Sequence, residues 1–86
     1  MYYFYVLKSE KDGRLYFGYS SNLRQRFAEH NRGKGRYTRN FQPWKLVYYE
    51  AYASKENARY REKQIKQGGK VYAQLKRRIE KSIHES

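Results

Sequence analysis

The sequence predicts a small α/β (α+β) domain in which a three-stranded antiparallel sheet is flanked by helices in the order ββαβαα. Three observations carry that prediction: an alternating, tyrosine-rich stretch that turns back at Lys11-Asp12-Gly13, a Val- and Tyr-rich run over 45–53, and helical patterns punctuated by glycine. A chain of 86 residues is expected to form one domain over 1–86. A domain this small buries only about 60 to 65% of the surface its unfolded chain exposes, so large rings are an economical core. The chain has 11 tyrosines, and aromatic residues suit a pleated, half-buried surface.

Residues 2–8 alternate as a strand, with Tyr3, Tyr5 and Leu7 on one side and Phe4 and Val6 on the other. Residues 14–20 form the partner strand of an antiparallel hairpin, Gly13 being free to take positive φ in the turn. Ser20-Ser21-Asn22 then supplies a helix cap, with Gln25 three residues after Asn22, and the helix runs to about Asn31 before Gly33 ends it. Residues 32–44 read as a long loop too polar to be core, followed by a third strand over Lys45 to Ala53. Ser54 caps a second helix that carries Glu56 in its first turn, where a carboxylate favours the helix dipole, and that stops at Gly68-Gly69. A last, basic helix over 70–84 carries one narrow apolar stripe of Val71, Leu75, Ile79 and Ile83.

Without cysteine there is no disulfide framework and no thiolate zinc site. No stretch approaches the roughly 20 apolar residues of a membrane span, and no basic segment followed by a long apolar run opens the chain, so the expectation is a cytoplasmic protein. Twenty Lys and Arg against eight Asp and Glu leave a formal charge of +12, which points to a polyanionic partner. Nucleic acid is favoured, because phosphate neutralisation rewards a dense basic surface. An anionic membrane is disfavoured, since the basic helices carry few bulky apolar residues on one face. A solvated basic face without a dedicated partner is the plainer alternative.

The first helix places Leu23, Arg26, Phe27 and His30 on one face, so its core-facing stripe contains an arginine and a histidine. The second helix sets Glu62 in line with Ala58 and Ile65. Burying such charges costs several kcal/mol unless they are paired or solvated in a cleft. One reading is structural: an Arg26–Glu62 ion pair, with His30 satisfied by a backbone carbonyl. The other is a phosphodiester-cleaving site in which arginine forks onto phosphate oxygens, a carboxylate holds one Mg²⁺, and a histidine or tyrosine moves a proton.

These residues resemble the GIY-YIG nuclease domain family, and look most like its small stand-alone bacterial members, related to the N-terminal nuclease module of the excision-repair endonuclease. The first family tripeptide corresponds to Tyr3-Phe4-Tyr5, the second to Tyr16-Phe17-Gly18, the helix motif to Arg26 and His30, and the metal-binding acid to Glu62. The likeness covers about residues 2–70. It implies a DNA endonuclease that cuts one strand with a single Mg²⁺ or Mn²⁺, in a repair or processing role. In that scheme Glu62 ligates the metal, Arg26 stabilises charge on the phosphate, and Tyr5 and Tyr16 position and deprotonate water with help from His30. Tyr19, Arg32, Lys34, Arg36, Arg39, Lys66 and Lys70 are expected at the nucleic acid. Three positions depart from or vary within the family: Tyr3 stands where glycine is usual, Tyr19 where the repair enzymes have lysine, and His30 where they have tyrosine. Two other readings stay open. One is a nucleic-acid-binding module with little catalysis, in which Tyr37, Phe41 or Trp44 stacks on bases, with packing under the loop an equal alternative for Trp44 beside Pro43. The other is a scaffold that docks through the last helix.

Overall fold

A computed structural model describes residues 1–85. Strand β1 (Tyr2–Ser9) pairs antiparallel with β2 (Leu15–Ser20) on one side and β3 (Trp44–Tyr52) on the other, giving the sheet order β2-β1-β3. The turn between the first two strands sits where expected. Gly13 has φ +81° and donates its N–H to Ser9 O at 2.9 Å. The buried Ser9 hydroxyl accepts from the Lys11 and Asp12 N–H groups and donates to Phe41 O at 2.6 Å, tying this turn to the later loop.

A middle strand in a two-faced sheet is covered on both sides, and β1 is apolar on both. Phe4 and Val6 pack with Ile65, Leu75, Ile79 and Ile83 of the later helices, while Tyr5 and Leu7 pack with Trp44 on the opposite face. Strand β3 serves both clusters because its pairing with β1 shifts register between Val6 and Leu7. A bulge of this kind exchanges the two faces of a strand, since side chains alternate with a period of 2. Trp44 and Leu46 therefore join Tyr5 and Leu7, whereas Tyr48 and Tyr52 join Phe4 and Val6.

Helix α1 (Leu23–Asn31) begins at Asn22, whose Oδ1 accepts from Gln25 N at 3.1 Å while its Nδ2 donates to Gln25 Oε1, so the cap is reciprocal. Helix α2 (Lys55–Gln67) follows Ser54 as expected, although the Ser54 hydroxyl donates to Glu56 Oε2 at 3.0 Å and caps no backbone N–H. The single last helix is corrected to two, α3 (Gly69–Arg78) and α4 (Glu80–His84), separated at Ile79 with φ −106° and ψ 17°. Apolar residues spaced by four drift by about 40° per repeat around a straight helix. The break offsets that drift, and Leu75, Ile79 and Ile83 all stay buried. None of the described helices is long and apolar enough to cross a membrane.

The loop over 32–44 also departs from expectation. It contains a single 3₁₀ turn at Thr38–Asn40, and Thr38 and Trp44 at its end are buried. Asn31 makes this possible by presenting its side chain to both backbone groups of Trp44, accepting from N at 2.6 Å and donating to O at 2.9 Å.

On the helix-covered face, Glu50 of β3 is a polar centre that pattern reading did not single out. Arg61 of α2 donates to it twice, at 3.0 and 3.1 Å, and the Tyr48 and Tyr52 hydroxyls donate as well. Burial alone raises a carboxyl pKa, but here the Tyr52, Arg61 and Tyr48 hydrogen bonds win and hold Glu50 below its ordinary value. Glu50 thus contributes stability that is fully present above the unfolded carboxylate value near pH 4.3 and is lost as the pH falls from there through its lower folded value. Glu50→Gln is expected to cost about 1–3 kcal/mol at pH 7 and much less at strongly acid pH. Urea unfolding at the two pH values measures both; an equal loss at each would contradict the assignment.

Candidate active site

Tyr5 lies directly opposite Gly18 of β2 in the sheet register. A Cβ on Gly18 would stand 2.5 Å from Tyr5 Oη, so the missing side chain is what lets the phenol ring lie across the strand. The hydroxyl meets His30 Nε2 at 3.0 Å, and His30 Nδ1 meets Thr38 Oγ1 at 2.7 Å. All three residues are buried. His30 is therefore satisfied by two hydroxyls and not by a backbone carbonyl. Gly35 opens the space for this contact: a Cβ there would collide with Thr38 Oγ1 and stand 3.1 Å from His30 Nδ1.

Burial pushes the Tyr5 phenol up to about 12, with Tyr16 adding to the rise, while the Arg26 guanidinium beside the hydroxyl pulls the other way. His30 is pushed down, first by burial and then by Arg26, and is neutral at pH 7. The Tyr16 ring stands edge-on to His30, with centroids 5.0 Å apart, and has Tyr5 at 6.5 Å and Trp44 at 6.1 Å. From there an aromatic column runs outward: Tyr37 stacks on Tyr16 at 6.0 Å, Phe41 lies 5.2 Å from Tyr37, and the Arg14 guanidinium sits 3.5 Å over Phe41. Tyr37 is exposed and Phe41 half-buried. Trp44 is core, with Nε1 donating to Thr38 O at 2.8 Å.

The inward positions expected for Arg26 and Glu62 need correction. Arg26 is not in the core; its side chain is 49% exposed and bonds Glu29 at 3.4 Å. Its α1 position does point across Tyr5, but a long guanidinium on a nine-residue helix reaches past the cover to water. Glu62 is half-buried, and its partner is Lys66 at 3.4 Å, one turn on, in place of Arg26. The Lys66 ammonium also stands 5.7 Å from the Tyr16 ring, which links the carboxylate to the aromatic pair. Beside Glu62 an open groove of about 600 Å³ is lined by Tyr19, Arg59, Tyr60, Lys63 and Lys66. Of the other expected cations, Arg32, Lys34, Arg36 and Arg39 are exposed on the loop side, and Lys70 is exposed on the first turn of α3.

The donor set suits a hard divalent cation. No cluster of three or more His, Asp and Glu forms among the described residues, which excludes a metal cage built wholly from their side chains. Glu62, half-buried at an open groove that the exposed Glu56 also lines, fits Mg²⁺ or Mn²⁺, since a magnesium ion keeps several waters and binds through one or two carboxylates plus substrate phosphate. Thr38 and Gly35 were not legible as site residues. A loop threonine eight positions after a histidine carries no periodic signal.

A family model described as the GIY-YIG catalytic domain matches residues 1–81. The chain is 47% identical over 66 residues to the UPF0213 protein of Bacillus pumilus, covering 76% of this chain and 66% of that protein. It is 51% identical over 57 residues to a UPF0213 protein of Streptococcus pneumoniae, covering 65% of this chain and 57% of that one. The solution NMR structure of the UPF0213 protein from Bacillus halodurans is similar with a TM-score of 0.53 and 35% identity, over 87% of this chain and 81% of that one. The α+β fold with its three-stranded antiparallel sheet agrees with that likeness.

The close approach at Gly18 generates a direct test. Gly18→Ala forces the Tyr5 ring off its seat and is expected to cost about 1–3 kcal/mol, the range for overpacking a close-packed site. The Tyr5 and His30 ring resonances should move while the methyl resonances of Ile65 and Leu75, on the other face, stay put.

Proposed function

The chain belongs to the GIY-YIG family, and on that premise we propose that it is a divalent-metal-dependent endonuclease that hydrolyses a DNA phosphodiester bond in repair or processing. The observation that carries this reading is the meeting of Tyr5, Tyr16, His30 and Arg26 beside the Glu62–Lys66 pair, on a chain of net charge +12. In this reading the exposed Arg26 fork takes two oxygens of the scissile phosphate. Lys66 leaves Glu62 for the phosphate backbone. Glu62 would then be the residue that holds one Mg²⁺ or Mn²⁺. When bound, such an ion stabilises charge on the phosphoryl group and makes water more acidic.

The two tyrosines divide the remaining work by exposure. Tyr16 is half-exposed beneath Lys66, where attacking water can reach it, and acts as the base. Tyr5 is 1% exposed, with its phenol near 12, so it stays protonated and orients the reacting groups as a hydrogen-bond donor. Tyr19, Arg59 and Lys63 along the groove, with Arg32, Lys34, Arg36, Arg39 and Lys70, hold flanking phosphates. A second reading, a binding module with little catalysis, draws support from the aromatic column that runs out through Tyr37, which is 49% exposed and available to a base.

Glu62→Ala is expected to lower plasmid nicking by roughly 100-fold or more in Mg²⁺ or Mn²⁺ while leaving salt-dependent DNA binding in place. Equal nicking by the two proteins on several DNA forms would sink the catalytic reading and leave the binding module. The pH dependence separates the tyrosines. A general base acts only in its deprotonated form, so a base-catalysed rate climbs with pH. Tyr16→Phe should flatten that climb, whereas Tyr5→Phe should lower the rate and keep the slope. The reverse pattern would exchange the two roles.

A further inference from the structure

Thr38 has one hydroxyl proton to place, and where it goes decides what His30 can do. The hydroxyl lies in a residue 1% exposed, and its hydrogen-bond partner is His30 Nδ1 at 2.7 Å. No other hydrogen bond of Thr38 Oγ1 forms among the described residues, and no buried side-chain polar atom there is left unsatisfied. The Thr38 and Tyr5 hydroxyls, both buried, compete to donate to the one ring nitrogen that can accept; the 2.7 Å contact at Nδ1 has the length of a hydroxyl donor and the 3.0 Å contact at Nε2 that of an N–H donor, so the Thr38 proton belongs on Nδ1. Nδ1 is then an acceptor, and the proton of the neutral imidazole sits on Nε2.

We propose that Thr38 is a positioning residue: by donating to His30 Nδ1 it holds the imidazole in the Nε2–H tautomer, so that His30 donates to the Tyr5 oxygen. This rests on the endonuclease reading for its catalytic consequence, but not for the tautomer itself. With one Tyr5 lone pair taken by His30, the Tyr5 proton is turned away from His30 and is left for a group approaching from the substrate side. The opposite tautomer would draw that proton onto His30 and leave Tyr5 no hydrogen to offer the substrate. Gly35 belongs to the same device, because any side chain there would push Thr38 off the ring. The 3₁₀ turn is held in turn by Trp44, whose indole donates to Thr38 O.

Long-range ¹H–¹⁵N correlation of the imidazole in the intact, metal-free protein reads the tautomer directly. The expected result is a neutral His30 with its proton on Nε2; a proton on Nδ1 overturns the proposal whatever the enzyme does. Thr38→Val should give mixed tautomers and lower nicking by roughly 10- to 100-fold, the range for residues that orient an active-site group. Thr38→Ser, which keeps the donor, should restore both. A Thr38→Val protein that folds and retains the single Nε2–H form also overturns it. If Glu62→Ala nicks as well as the parent, the endonuclease reading falls while the spectrum still decides the tautomer.

Discussion

The hydrogen bond between Tyr5 and His30 joins the middle of the sheet to the first helix inside a protein of fewer than 90 residues, and most other features follow from making room for it. Tyr5 must cross its neighbouring strand, so Gly18 carries no side chain. His30 must sit under the long loop, so that loop turns back and buries Thr38, and Gly35 gives way to it. The loop must be anchored, and Asn31 does this by pairing with the Trp44 backbone as a strand would. Each element is modest alone. Together they hold two hydroxyls and an imidazole in register without a disulfide or a metal cage.

Sheet curvature and charge placement solve the second problem, which is how one short sheet serves two cores. The irregularity opposite Val6 and Leu7 lets β3 give Trp44 to the face of Tyr5 and His30, and Tyr48, Glu50 and Tyr52 to the face covered by the later helices. The bidentate Arg61–Glu50 pair then fixes α2 against β3. That matters for the site because α2 also carries Glu62 and Lys66. An ion pair on one side of the helix thus orients the Glu62–Lys66 pair on another. Lys8 adds a similar tie from β1 to the end of α4, donating to Ile83 O at 2.7 Å.

Several of these features were legible as patterns. The hairpin, the cap at Asn22, the glycine stops and the two-sided apolar β1 each have a local cause, and each appears within a residue or two of its expected bounds. The Arg26–Glu62 pair failed because helical periodicity reports which way a Cβ points and not how far a long side chain travels. The unbroken last helix failed because four-residue spacing was read as a stripe without its drift. The buried loop failed because polarity was averaged over residues 32–44, while burial was decided by Thr38 and by Trp44 at its end.

The sequence by itself determined the family, the order of elements and the chemistry on offer: tyrosines, one histidine, an arginine and an acid on helices that face a sheet, within a strongly basic chain. Those follow from residue type and local spacing. Only the tertiary structure decided who touches whom. Lys66 and not Arg26 partners Glu62, two hydroxyls and not a carbonyl hold His30, and one tyrosine is buried while the other is partly exposed beneath Lys66. Such choices depend on distances between elements far apart in the chain, and on the absence of a Cβ at two glycines, which no local periodicity encodes.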